Sequence, residues 1–386
     1  MRGFLEHIPI KQVLFTLAVL IYACFSSPTP DFVGPAEISV FVLLFLSLQP
    51  DFSASNGYAL ILACYGLSVP LIISLVSGYA PSEIIRDVIP FIFLLMPILF
   101  YYRDEKDTQF LGRLVSIAGI IFSLRSLQSF SADISNPMQW LGTPPDLLYL
   151  SNSPEVLFAA IYFLYNALRP QEKILHRIFY ILLASIPLLA MATLMQRASL
   201  FYILLCVMIF IGILMFRKPR SASIIILIVF PFISLLPFID DIFQQLSVKT
   251  QMVGLNSRGQ EWRAVMKEIS SSAISYVFGK GWGAELENPA VGGLRVSFTH
   301  SLVSSLWFKT GLIGVFLSGL YFFNLAKAAA PFLIRNQNYF FALAGPLLIG
   351  FVLYASYKSL GYGLLILILA SCAKGKRLEE PVSSVP

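Results

Sequence analysis

The 386 residues are 57% hydrophobic and 12% charged, roughly half the charge of an average soluble domain, which excludes an ordinary soluble fold and reads as an integral membrane protein. The net charge of +6 would suit an anionic partner, but in a membrane chain its ordinary source is cytoplasmic Lys and Arg, so no nucleic-acid partner is expected. Apolar runs near the roughly 20 residues that cross a bilayer recur throughout, so one all-α, polytopic transmembrane domain over 1–386 is expected, packed against itself and membrane lipid.

Met1 to Phe25 places Arg2 and Lys11 ahead of an apolar core, and the following CFSSPTP lacks a small-x-small cleavage site. It is expected to remain as an uncleaved first helix. Further spans are expected over 36–49, 57–78, 84–101, 110–128, 155–168, 174–194, 198–216, 221–239, about 303–325, 338–356 and 359–373, about 12 helices in all. With the N-terminus inside, 16 of the 27 Lys and Arg fall in cytoplasmic turns, among them Arg103, Lys106, Arg113, Arg169, Lys173, Arg177 and the cluster from Arg217 to Arg220. That is the positive-inside pattern, and it puts both termini in the cytoplasm.

The other 11 cations are Arg86, Arg125, Arg197, Lys249, Arg258, Arg263, Lys267, Lys280, Arg295, Lys309 and Lys358. The charge rule disfavours them on the outer side unless something holds them there. Arg125 and Arg197 sit within or at the outer end of apolar runs, where an unpaired charge is costly and a functional role is the default. For Arg86 and Arg125, pairing with Glu83, Asp87 or Asp133, or snorkelling to headgroups, is an equally open reading. The loop from Ser129 to Pro154 is rich in Asn, Asp, Pro and Ser and is expected to be an irregular outer cover. All four tryptophans, Trp140, Trp262, Trp282 and Trp307, fall outside; an aromatic belt explains one or two, and stacking on sugar or lipid is the other use.

The longest polar interval runs from Asn256 to Gly314 and lies mostly in a loop, 240–302, between the ninth and tenth spans. Ser257-x-x-Gln260 is a capping box ahead of Trp262, Val265, Met266 and Ile269, which share one helical face. A short amphipathic helix starting near Arg258 is expected, with Arg258 one turn from Trp262, Arg263 beside Lys267, and a seam able to lie on a membrane surface. Gly279-Lys280-Gly281-Trp282-Gly283 gives backbone freedom. Thr299-His300 opens an apolar helix running into Thr310-Gly311-Leu312-Ile313-Gly314.

Ser257-Arg258-x-x-x-Trp262, then Gly279-Lys280-Gly281-Trp282-Gly283, then Thr299-His300-Ser301 ahead of Thr310-Gly311-Leu312-Ile313-Gly314, together resemble the signature region of the O-antigen polymerase and O-antigen ligase superfamily. The resemblance covers about Met195 to Gly314. It implies a GT-C-like helix bundle with one larger periplasmic loop in the bacterial inner membrane, using an undecaprenyl-diphosphate-linked glycan as donor. It also implies that Arg197 and Arg258 bind the diphosphate, with Arg263 the second choice at the loop position, and that His300 is the catalytic base or acceptor-orienting residue. Many members carry His-Asn where this chain has His300-Ser301, so side-chain help from residue 301 is not carried over.

The chemistry suits those residue types. A leaving diphosphate needs charge stabilisation, which guanidinium supplies in bidentate form, and an attacking hydroxyl needs a base, which imidazole supplies near neutral pH. For Arg263 a solvated face paired with Gln260 or Glu261 is the competing reading, and for His300 a helix cap. Trp262, Trp282, Arg125, Lys280 and Arg295 are further candidates for sugar or lipid contacts. Cys24, Cys64, Cys206 and Cys372 lie in or beside apolar runs and indicate neither a disulfide framework nor a thiolate site. Asp31 is the sole close acidic candidate in the first outer loop, and one carboxylate is a weak metal site. No metal and no cofactor are therefore expected, and direct displacement of diphosphate would invert the anomeric carbon.

Within the superfamily the acceptor is either a second lipid-linked glycan, for a polymerase, or lipid A-core, for a ligase. The surplus cations Lys249, Arg263, Lys267, Lys280 and Arg295 favour the polymerase. A transporter or flippase of lipid-linked sugars matches the helix count, but every Asp and Glu falls in a loop or near a helix end, away from the midplane positions of coupled carriers.

Overall fold

In a bilayer each backbone polar group has to be satisfied within its own segment, and the apolar runs do this as α-helices. The computed structural model describes residues 9–28, 33–53, 56–102, 104–129, 149–169, 173–194, 196–217 and 257–374. The expected span at 221–239, Asp31, Asp133, Trp140 and Lys249 lie outside the described residues. The helices are α1 (Ile10–Phe25), α2 (Pro35–Leu46), α3 (Gly57–Gly66), α4 (Val69–Val76), α5 (Pro81–Leu94), α6 (Met96–Leu99), α7 (Glu105–Ser129), α8 (Pro154–Leu168), α9 (Ile174–Thr193) and α10 (Arg197–Arg217). After them come α11 (Ser257–Ile269), α12 (Ala273–Phe278), the strands β1 (Leu286–Asn288) and β2 (Leu294–Val296), and α13 (Leu302–Arg335), α14 (Gln337–Val352) and α15 (Leu360–Lys374).

The protein is all-α apart from that two-stranded hairpin, and it has the helices of a membrane protein. Among the described residues four segments are long and apolar enough to cross a bilayer: Gly57–Val76, Glu105–Gln128, Ile174–Thr193 and Leu302–Arg335. Six other apolar helices are shorter, at 10–17 residues. A full crossing takes about 20 residues at about 1.5 Å each, so among the described residues the lengths support four crossings and do not confirm the expected count of about 12.

The chain divides into two units. The first comprises Met1–Val115, Asn256–Gln337 and Gly350–Pro386. Its post is α15, where Leu364, Leu365, Ile366 and Ile368 are fully buried; a helix apolar on every side belongs at a core. Against it pack α13, α5 and α6, and α13 also carries α3 and α12. Outward residues such as Phe41 and Phe45 of α2 and Leu75 and Val76 of α4 are large, apolar and exposed, the surface a lipid solvent requires. The second unit comprises Ser116–Leu255 and Asn338–Ile349. There α8 and α9 meet over Ala159 and Ala184, small residues that let two backbones approach, with Phe163 packed beside them, and Tyr202 donates to the Phe341 carbonyl at 2.9 Å.

The amphipathic helix forms as α11, but its seam is not laid on a membrane surface. Val265 and Ile269 are fully buried against Ala284, Leu286 and Phe308, where the hairpin and α13 offer an apolar face. The helix expected over 303–325 continues to Arg335, so Lys327 and Arg335 lie on α13 and not in a turn beyond it.

Candidate functional site

With Val265 and Ile269 seated, the stripe Glu261, Val265, Ile269, at steps of four, turns one carboxylate into the same buried layer. Glu261 is 3% exposed. Its Oε1 accepts from the His300 backbone N–H at 2.9 Å and from Asn288 Nδ2 at 2.8 Å. The His300 ring nitrogen Nδ1 stands 3.1 Å from Oε1 and 3.3 Å from Oε2. On the exposed side, Arg258 Nη1 lies 3.7 Å from Oε2. A carboxylate only accepts, so Nδ1 carries a proton, and in the neutral form of the ring Nε2 holds the lone pair. Burial pushes the Glu261 carboxyl upward, but the hydrogen bond and charge of His300, with Asn288 and the His300 N–H, hold it below its ordinary value. It is an anion set against the His300 ring.

The segment that delivers His300 is fixed at several points. Asn288 Nδ2 also donates to the Phe298 carbonyl at 3.2 Å, Tyr357 Oη donates to the Thr299 carbonyl at 3.0 Å, and the Phe298 ring meets the His300 ring edge-on at 5.7 Å. Ser301 then caps α13, its hydroxyl accepting from the Ser304 N–H. Asn is an equally good cap, so His300-Ser301 keeps the backbone role that His-Asn would have.

Arg258, Glu261 and Trp262 form one wall of a half-open cavity of about 280 Å³, faced by Ser301, Val303, Ser304, Phe351 and Val352. One wall is charged, the other mostly apolar or hydroxylic. That is the lining an amphiphile with an anionic head needs. Trp262, 37% exposed, leans edge-on against Trp307 at 5.4 Å.

The two glycine motifs answer each other. α13 is broken at Gly311, whose φ is 67°, and the break frees carbonyls that the first motif takes: Lys280 N donates to Phe308 O at 2.8 Å and Gly281 N to Lys309 O at 3.0 Å. A Cβ on Gly279 would stand 2.4 Å from the Lys309 carbonyl oxygen, and one on Gly311 2.4 Å from the Gly279 nitrogen. Both positions therefore require glycine. Beneath this joint Lys309, 1% exposed, pairs with Asp87 at 2.5 Å, and Asp87 also accepts from the Gly283 N–H at 2.8 Å.

The structure thus brings Arg258, Trp262 and His300 together in one region of the first unit. Arg197 opens α10 in the second unit. Arg263, Lys267 and Arg295 are exposed, Arg295 standing opposite Glu287 in the hairpin. Lys280 reaches Ser271 at 2.8 Å and Glu268 at 3.9 Å. Arg125 lies over the Phe122 ring at 5.7 Å. Trp282 is a packing residue, correcting its expected use as a sugar or lipid contact: it is 3% exposed, its ring lies tilted against Phe91 at 5.1 Å, and it donates to the Gly66 carbonyl at 2.8 Å. Sequence reasoning treated Glu261 merely as a partner for Arg263 and missed its place at the centre; the signal was its four-residue step from Val265. It also missed the buried Asp87–Lys309 pair, whose signal was a lone lysine inside an apolar run.

No protein-family model matches the chain, and no curated protein matches it either.

Proposed function

We propose that this is an inverting membrane glycosyltransferase that moves a glycan from undecaprenyl diphosphate to a sugar hydroxyl, acting as a polymerase of O-antigen or exopolysaccharide repeat units at the periplasmic side of a bacterial inner membrane. The observation that carries the reading is the Glu261–His300 pair set beside Arg258, with Glu261 and Arg258 lining a cavity that has one mostly apolar wall. In the reaction His300 Nε2 takes the proton of the acceptor hydroxyl, whose oxygen attacks the anomeric carbon as the bond to the diphosphate breaks. Glu261 stabilises the imidazolium, and Arg258 meets the charge growing on the leaving diphosphate. For Arg197 a diphosphate-binding role is what the resemblance alone implies. Purified protein given lipid-linked repeat units alone is expected to lengthen chains; product appearing only once lipid A-core is added would replace the polymerase by a ligase.

One observation favours a second reading. A broken helix at Gly311 and a buried Asp87–Lys309 ion pair are features that carriers share, and they remove the argument that all carboxylates lie in loops or near helix ends. Translocation of labelled lipid-linked sugar by proteoliposomes, with no change in glycan length, would establish a flippase instead. Against it, Asp87 is already fully engaged by Lys309 and the Gly283 N–H.

A further inference from the structure

Lys358 takes no part in the mechanism above, yet it is half-buried at the end of a short 3-10 turn, Ala355–Lys358, that also anchors Thr299. Its ammonium stands 4.9 Å from the centroid of the Phe298 ring, the same ring that packs on His300. Around it the charges do not balance. Lys309 is matched by Asp87 and Arg86 by Glu83, each at 2.5 Å, and Arg86 Nη2 also donates to Ser297 Oγ at 2.5 Å. Three cations thus share two carboxylates, and among the described residues none lies within ion-pair distance of Lys358. A cation–π contact offsets roughly 0.5–2 kcal/mol, less than a buried ammonium loses on leaving water. Burial first, and then Lys309 and Arg86, push its amine down to about 8, although Asp87 and Glu83 act in the other direction.

We propose that Lys358, flanked by Arg86, is a second anion subsite beside the one served by Arg258, and that it takes the phosphate or diphosphate of a second lipid. The inference rests on the glycosyltransferase reading for the identity of that lipid, an acceptor carried on its own diphosphate. An anionic headgroup offers the same chemistry. In either case the ligand supplies the missing negative charge, and the Ser297–His300 segment, bonded to Arg86 at one end and packed against Lys358 through Phe298, aligns with it.

The test uses inorganic pyrophosphate and the purified full chain in phosphatidylcholine nanodiscs, with Arg258→Gln as the background so that the first subsite is silent. Pyrophosphate is expected to raise the thermal midpoint of this variant, and adding Lys358→Gln to raise the half-saturating concentration at least about tenfold, the worth of one charge-assisted hydrogen bond. Lys358→Arg should keep the response. An unchanged pyrophosphate response in the Lys358→Gln background overturns the proposal. Should Lys358→Gln fail to fold, acetylation of Lys358 in the otherwise intact chain serves: slowing by pyrophosphate supports the subsite, and an unaltered rate overturns it. Replacing half of the lipid with phosphatidylglycerol separates the sources, since a Lys358-dependent loss of pyrophosphate affinity assigns the subsite to a headgroup, and equal affinity assigns it to the acceptor. Binding is read without turnover, so the subsite and the transferase reading fail independently.

Discussion

Glu261 holds the reactive end of the site, and its bonds make distinct predictions. It accepts from the His300 backbone, the His300 ring and Asn288, so Glu261→Gln keeps the volume but removes the charge that steadies an imidazolium. Turnover should fall by about tenfold or more with donor affinity little changed, whereas His300→Ala should cost about 10²–10⁴-fold in kcat. Equal donor binding by all three proteins, measured with a non-reacting lipid diphosphate, separates this from misfolding. Arg258→Lys keeps the charge but loses the planar fork and should lower kcat/KM by about tenfold or more, while Arg263→Lys, on an exposed face, should be mild. Arg197→Lys checks the role that the resemblance implies for that residue. The sign of the acid response follows from the carboxyl being held below its ordinary 4.5: its contribution to stability is complete above that value and is lost as pH falls through the lower folded value. The thermal midpoint of wild type should therefore drop more steeply than that of Glu261→Gln between about pH 5 and the acid limit; parallel curves would mean the carboxylate is not stabilised by His300.

At the scale of the element, the joint between the two glycine motifs organises the first unit. Gly311→Ala places a Cβ against backbone at a positive φ, a combination worth about 1–3 kcal/mol, and it should lower the thermal midpoint by several degrees while Gly319→Ala, with open space at its Cβ, changes it little. Similar midpoints for the two variants would deny the joint its structural weight. The helices themselves are legible in the sequence, since hydropathy alone places α8, α9 and α10 within a residue or two. So is α11, from its capping box and apolar spacing. What the sequence hides is partnership across the chain. Lys309 reads as one more outer cation until α5 is seen to bring Asp87 to it, and Trp282 reads as a sugar platform until Gly66 and Phe91 are found around it. Both motifs could be picked out as glycine-rich, but their mutual hydrogen bonds depend on a helix break that no periodicity announces.

For the whole molecule, orientation decides whether the reading survives. Beyond its break at Gly311, α13 runs on to Arg335, about 36 Å at helical rise against a hydrocarbon core of about 30 Å, long enough for its start and its finish to lie on opposite faces of a membrane. His300, Ser301 and the cavity stand at its start, and Arg335 at its finish. The proposed function requires the start outside, where a lipid-linked donor would be presented, and the finish inside, the orientation expected from the basic turns. In a variant free of its own cysteines, Arg263→Cys should react with a membrane-impermeant maleimide in intact cells, and Arg335→Cys only after the membrane is opened. Arg263 is exposed on α11 and outside the cavity wall, so its labelling reports the face without disabling the site. The reverse pattern would set Arg258 and His300 in the cytoplasm, away from the donor, and the polymerase and ligase readings would fall together. Labelling at both positions from outside would mean that α13 does not cross, which its length and apolar composition argue against.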